Sequence, residues 1–186
     1  RSCEKAVELG RRHITARQIM SWEAIENAIM VLMAVGGSTN AVIHTCAIGW
    51  ELGFEPKKVM EAFDRYSDII PHIAAVDPAS LIYDCEDLYK AGGIPQVMKA
   101  IREKLHTGVM TAEAQTLGEN LDAFRNRYPA NPDLIRTMDD PHSRLGGLAI
   151  MRGNIASTFR GGARALRPRR AAPGTCLSRP QKDFPV

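Results

Sequence analysis

Eight consecutive residues, Ala28 to Val35, carry no polar side chain, and two glycines follow them at once. With Ile25, Ala28, Ile29, Leu32 and Met33 at helical spacing, the stretch predicts a deeply buried helix. Gly36 and Gly37 accept the left-handed backbone that closes a helix, and Ser38, Thr39 and Asn40 supply oxygens suited to cap the next one, expected over 41–52. Such an apolar hairpin does not bury enough of itself to offset the entropy of ordering its backbone. Its faces need walls, and the remaining chain must provide them.

Local signals elsewhere predict mostly short helices. Residues 2–10 read as a helix with Cys3, Ala6, Val7 and Leu9 as its apolar positions, and Thr15 with Gln18 has capping-box spacing ahead of a cap at Ser21. Pro56 suits the first turn of a helix that buries Val59, Met60 and Phe63 and ends near Ser67. The run 69–76, IIPHIAAV, is extended in character. Asp77 is expected to cap a helix from Pro78 to the Gly92–Gly93 pair. Pro95 opens another, with Ile94, Val97, Met98, Ile101 and Leu105 on its apolar stripe. Thr116 and Glu119 form a second capping box, before a helix ending around Arg127. Three prolines and several turn formers in 128–143 read as a linker, and 146–153 as a strand.

Charge separates the C-terminal residues from the rest. Residues 157–186 hold seven Lys and Arg against one Asp, whereas 1–156 hold 17 against 20. The basic stretch is rich in Arg, Ala, Gly and Pro without periodicity, which predicts disorder. Nucleic-acid binding is not expected of it, because aromatic side chains are scarce and no reading helix precedes it. No apolar run approaches the length of a membrane span, and no signal-peptide core follows the charged first residues, so a cytoplasmic protein is expected, or an organellar one that has lost its address. Cys3, Cys46, Cys85 and Cys176 are far apart, with no CxxC and no histidine at ligand spacing, and read as reduced thiols.

The Gly36–Asn40 turn is the strongest candidate for chemistry. Amides at a helix N-terminus, with Ser38 and Thr39 hydroxyls and the Asn40 side chain, suit a carboxylate or phosphate, although a capped helix–helix turn is the simpler reading of the spacing. His44 falls one turn beyond Asn40 on the same face, where an acid or base would be useful; more often such a residue is a hydrogen-bonded interior histidine. His72 carries the same ambiguity with less support. Asp139, Asp140 and His142, and likewise Glu86 and Asp87, look like metal ligands but read more simply as a turn and a solvated helix face.

The run ENAIMVLMAVGGSTNAVIH, with ITARQIM before it and FDRYSDIIPHIAAVDP, EDLYKAGGIP, TLGENL and DDPHSRLGGLAIMRGN after it, resembles the dihydroxy-acid dehydratase and 6-phosphogluconate dehydratase family, most of all dihydroxy-acid dehydratase. The resemblance covers roughly residues 1–156. It implies a mainly α fragment: residues 1–136 as the helical part of the family's α/β N-terminal domain, 137–156 as linker and first strand of its β-barrel-like C-terminal domain, and 157–186 as a basic tail that departs from the family pattern, as a frameshift near Ala156 would produce. The implied activity is removal of water from a 2,3-dihydroxy acid to give a 2-oxo acid, of the branched-chain amino-acid biosynthesis type. The alternatives are a sugar-acid dehydratase of the same family and a non-catalytic helical interaction protein. An iron-sulfur cluster, magnesium and a homo-oligomer go with the full-length family. The cluster cysteines and the serine base lie in motifs absent here, so neither cofactor is expected to bind this chain, no catalytic residue is assigned, and Ser38, Thr39, Asn40 and His44 remain as candidate substrate contacts. Uncovered apolar faces and a tendency to aggregate are the physical consequence expected.

Overall fold

A computed structural model of the chain describes residues 2–77, 80, 82–151 and 160–163. Helices dominate: α1 (Ser2–Arg11), α2 (Ala16–Ile19), α3 (Trp22–Val35), α4 (Asn40–Glu51), α5 (Pro56–Ile69), α6 (Cys85–Lys90), α7 (Gly93–Ala100), a 3-10 turn (Arg102–Lys104) and α8 (Leu117–Ala123), followed by β1 (Leu148–Met151) and β2 (Arg160–Ala163). The two strands pair antiparallel, with Leu148 opposite Ala163 and Met151 opposite Arg160.

The apolar run forms the central helix. α3 packs against α4, α5 and α7. Ile29, Met33 and Ala34 are fully buried beside Val59, Phe63, Ile70, Ile73 and Val97; large aliphatic and aromatic side chains so placed each contribute about 1.5–3 kcal/mol of transfer free energy. Its start is fixed by the Ser21 hydroxyl, which accepts from the Ala24 amide, and its end by Gly36 at φ 62°, ψ 45°. One feature departs from the pattern: Ala28 is exposed and Leu32 half-buried, whereas Glu26 and Asn27 are buried. Glu26 and Asn27 escape the usual cost of polar burial because each has found partners. The Arg65 guanidinium and His106 Nε2 (3.0 Å) engage the Glu26 carboxylate. The Asn27 amide donates to the His106 carbonyl (3.0 Å) while its carbonyl accepts from the His106 amide (2.8 Å).

Several helix limits differ from expectation for local reasons. The helix placed at Pro78 begins at Cys85, because the Asp84 carboxylate accepts from the Glu86 and Asp87 amides while Asp87 closes the box on the Asp84 amide. Asp77 instead donates its amide to the Tyr83 carbonyl (2.8 Å). α7 starts at Gly93 after Gly92 at φ 111°, and it stops at Ala100, leaving Leu105 buried but beyond the helix. α8 ends at Ala123 rather than Arg127, since Phe124 turns extended. The proline-bearing stretch 128–143 lies on the core: Leu134 is fully buried, the Arg136 amide reaches the Ile73 carbonyl (2.8 Å), and Ser143 bridges to His72. Residues 160–163, expected to be disordered, pair as β2; the rest of the basic stretch, with Cys176, lies outside the described residues.

Candidate functional site

The α3–α4 turn is held from below by two chain segments. The last carbonyls of α3 would be orphaned at a helix end, and here the Ile73 and Ala74 amides donate to Ala34 (2.9 and 3.0 Å) while the Gly147 amide donates to Met33 (2.9 Å). Only glycine fits at the crossing. A Cβ on Gly36 would sit 2.7 Å from His72 Nε2, and one on Gly147 would sit 2.2 Å from the Gly36 Cα. The GG dipeptides at 36–37 and 146–147 therefore meet as one close backbone contact, with the extended run 70–75 beneath them.

His72 is the buried titratable group of this junction, 1% exposed. Its Nε2 lies 3.1 Å from the Ala74 carbonyl, which can only accept, so Nε2 carries the proton and Nδ1 is a buried lone pair with no partner among the described residues. His142 stands alongside at 6.3 Å between ring centroids, its own Nε2 donating to the Leu134 carbonyl (3.2 Å). Burial pushes the His72 pKa below the ordinary imidazole range, the neighbouring His142 pushes it further, and backbone contacts with Ala74 and Val35 oppose both. Burial likewise lowers His142, against its hydrogen bond to Leu134.

On the outer side of the turn the candidate residues lie in the open. Ser38 and Asn40 are exposed, Thr39 is half-buried, and His44 is exposed, which corrects the interior-histidine reading. The backbone amides are already engaged: Asn40 donates to the Ser38 hydroxyl (3.2 Å), Ala41 to the Ser38 carbonyl (3.0 Å) and Val42 to the Thr39 carbonyl (3.2 Å). The Thr39 hydroxyl makes no capping bond. The side chains presented at this end are the Ser38 and Thr39 hydroxyls, the Asn40 carboxamide and the His44 imidazole, with the helix dipole behind them. Four of the remaining candidates have structural partners. Glu86 pairs with Lys90 (2.7 Å), Asp87 closes the α6 cap, Asp140 faces Arg136 (3.8 Å), and His142 serves Leu134.

Cys3 and Cys85 are exposed and Cys46 is half-buried, its thiol pKa raised by burial. Among the described residues no three His, Cys, Asp or Glu side chains converge on one point. No described helix is long and apolar enough to cross a membrane. The Glu26–Arg65–His106 group went unread in the sequence. Its one signal was the Glu26–Asn27 pair, set between Ile25 and Ile29 on an apolar face, where a polar side chain requires a partner.

A family model described as dihydroxy-acid/6-phosphogluconate dehydratase, N-terminal, matches residues 1–120. The dihydroxy-acid dehydratase of Caldanaerobacter subterraneus is 43% identical over 154 residues, covering 82% of this chain and 27% of its own length. Those of Acidothermus cellulolyticus and Mycobacterium leprae are 44% and 42% identical over 159 and 162 residues, covering 83% and 84% of this chain and again 27% of their own. The chain spans about a quarter of the length of these relatives.

Proposed function

We propose, from the premise that this chain belongs to the dihydroxy-acid/6-phosphogluconate dehydratase family, that it is the helical heart of a hydro-lyase that converts 2,3-dihydroxy acids to 2-oxo acids, and that it binds substrate without performing the chemistry. The observation that carries the reading is an identity above 40% to proteins named dihydroxy-acid dehydratase across 154 residues or more, a span that includes the α3–α4 turn. A sugar-acid substrate is the second reading, since the family description also names 6-phosphogluconate dehydratase.

The reaction needs an acid or Lewis acid at the departing C3 hydroxyl and a base for the C2 proton. The described residues do not supply these two groups as a placed pair. What they supply is binding. The substrate is anionic; the α4 N-terminus favours negative charge, the Thr39 hydroxyl and the Asn40 side-chain NH2 donate hydrogen bonds, and His44 stands one turn further on. The Ser38 hydroxyl accepts from the Asn40 backbone amide and holds the turn while its O–H is left to donate to the ligand. In this reading β1 opens the family's C-terminal domain, the assembled enzyme is a cytoplasmic homo-oligomer, and an iron-sulfur cluster and magnesium are held by segments outside this chain.

A chimera tests it. Residues 1–151 replace the matching segment of the Mycobacterium leprae relative, and turnover of a 2,3-dihydroxy acid is compared with that of the 186-residue chain. Turnover by the chimera and none by the chain is the expected result. A folded chimera without activity, or turnover by the chain alone, contradicts the reading.

A further inference from the structure

We propose that His72 is a positioning residue of the candidate site: as a neutral imidazole it seats the α3–α4 turn, and with it Ser38, Thr39 and Asn40, and a second proton on its ring unseats that turn. The seating is a property of this chain; its bearing on substrate rests on the dehydratase reading above. The His72 ring packs so closely on Gly36 that no Cβ fits between them, and the Gly147 backbone lies against Gly36 as well. His72 itself is pinned. Its amide donates to the Ser143 carbonyl (2.9 Å), its carbonyl accepts from the Ser143 amide (3.2 Å), and its Nε2 donates to the Ala74 carbonyl (3.1 Å). Nδ1 is left buried, with no partner among the described residues. A neutral ring keeps only an idle lone pair there, whereas an imidazolium places a charged N–H where nothing accepts it, a much costlier state.

The surroundings do not favour the cation. His142, at 6.3 Å between ring centroids, repels it, and this together with burial outweighs the backbone contacts with Ala74 and Val35. Behind His142, Arg136, Asp140 and Asp133 act on that ring. Residues 31–40 and 148–151 carry no charged side chain, and Asp68 at the end of α5 and Arg144 beside Ser143 are exposed. The protonated ring must therefore reach water, and the turn is the part that can give. Ser38 and Asn40 are exposed and Gly36, Gly37 and Thr39 half-buried. The turn is held through the Gly36 and Gly37 amides on the Leu32 carbonyl, with the Gly147 amide on Met33 (2.9 Å). Lifting it hydrates Nδ1 and parts the three side chains that would meet one anion together. Protonation of the exposed His44 acts in the opposite direction, since it adds positive charge beside a bound anion.

Amide hydrogen exchange followed by NMR in the 186-residue chain tests this. Gly36, Gly37 and Gly147 should be less protected than Phe63 in α5 at every pH. Their protection should fall about tenfold between about pH 7.5 and 5.5, the factor by which an imidazole of ordinary pKa in the open state, about 6.5, favours opening. His72→Gln keeps a donor for the Ala74 carbonyl and does not titrate, so it should remove that fall. Nitrogen NMR of the ring needs no variant: Nδ1 should be unprotonated at the upper end of the range, and its protonation should track the loss at the three glycines. A His72 that takes its second proton while the glycines stay protected overturns the proposal. Protection at the glycines equal to that at Phe63 overturns it too, because the junction would then open only in global unfolding. Glycerate, the simplest 2,3-dihydroxy acid, links the turn to the site: at ten times its Kd it should raise protection of the three glycines about tenfold. Glycerate that shifts Asn40 without changing that protection overturns the positioning role. Glycerate that does not bind counts against the substrate reading alone, and the exchange result decides the seating.

Discussion

Gly36 carries two constraints at once, a left-handed backbone at φ 62° and a Cβ position occupied by His72 Nε2 at 2.7 Å. Gly53 shares the first, at φ 88°, but has open space around it. An alanine at a left-handed position costs about 1–2 kcal/mol, and overpacking adds about 1–3. Gly53→Ala should therefore cost about 1–2 kcal/mol in denaturant melts, and Gly36→Ala about 2–5; equal costs would remove His72 from the account of the turn. The Glu26 group makes a second case. Arg65→Met leaves the buried Glu26 carboxylate with the His106 Nε2 contact and without its guanidinium partner, and should destabilise by about 1–3 kcal/mol, whereas Glu26→Gln combined with Arg65→Met should recover part of that loss in a double-mutant cycle. Neither the His72 contact nor this group was legible beforehand, because their partners lie far away in sequence: Arg65 and His106 are 39 and 80 residues from Glu26. The Thr15–Gln18 and Thr116–Glu119 boxes were legible because each closes within three residues.

Among the elements, α3 shows why pattern reading succeeds, since an eight-residue apolar run ended by glycine admits little besides a buried helix. α6 shows why it falters. Asp77 and Asp84 both look like caps; the Asp84 carboxylate accepts from the Glu86 and Asp87 amides, whereas residues 78 and 79, which follow Asp77, lie outside the described residues. Asp84→Ala should cost about 1 kcal/mol, the usual loss for an N-cap, and Asp77→Ala should stay within about 0.5. A larger loss at Asp77 would mean that the helix begins earlier than Cys85. α4 was legible as a helix and not as a half-covered one, for apolar residues at all angles give the same text whether the second wall is present or not.

For the molecule as a whole, the His72–His142 pair couples stability to pH. Burial holds both folded pKa values below the ordinary 6.5, so the unfolded chain takes up protons first. Stability is then fully present above about pH 6.5 and falls as the pH drops below that value. Exposed carboxylates held low by their partners, Glu8, Glu119 and Asp122, lose their share only in the more acid range below their ordinary values of 4.5 and 3.8. The melting temperature should be flat from pH 7 to 8 and decline between about 6.5 and 5, with the decline reduced in His142→Gln. A flat profile through that window would mean that the two imidazoles stay as accessible folded as unfolded. The order of helices and the central hairpin could be read from the sequence because they depend on local chemistry. The junction of Gly36, His72 and Gly147 could not, since it exists only once residues 36, 72 and 147 are brought together.

The central claim is that this chain binds the substrate of a dehydratase whose chemistry is done elsewhere, and steady-state kinetics of the chimera carrying Asn40→Ala tests it most directly. Losing one hydrogen bond to a bound carboxylate is worth about 1.5 kcal/mol, or roughly tenfold, and uniform binding is lost from KM alone. The account predicts a KM for the dihydroxy acid raised about tenfold with kcat within about twofold of the parent. A kcat that collapses while KM holds would place Asn40 in the chemical step and contradict the account.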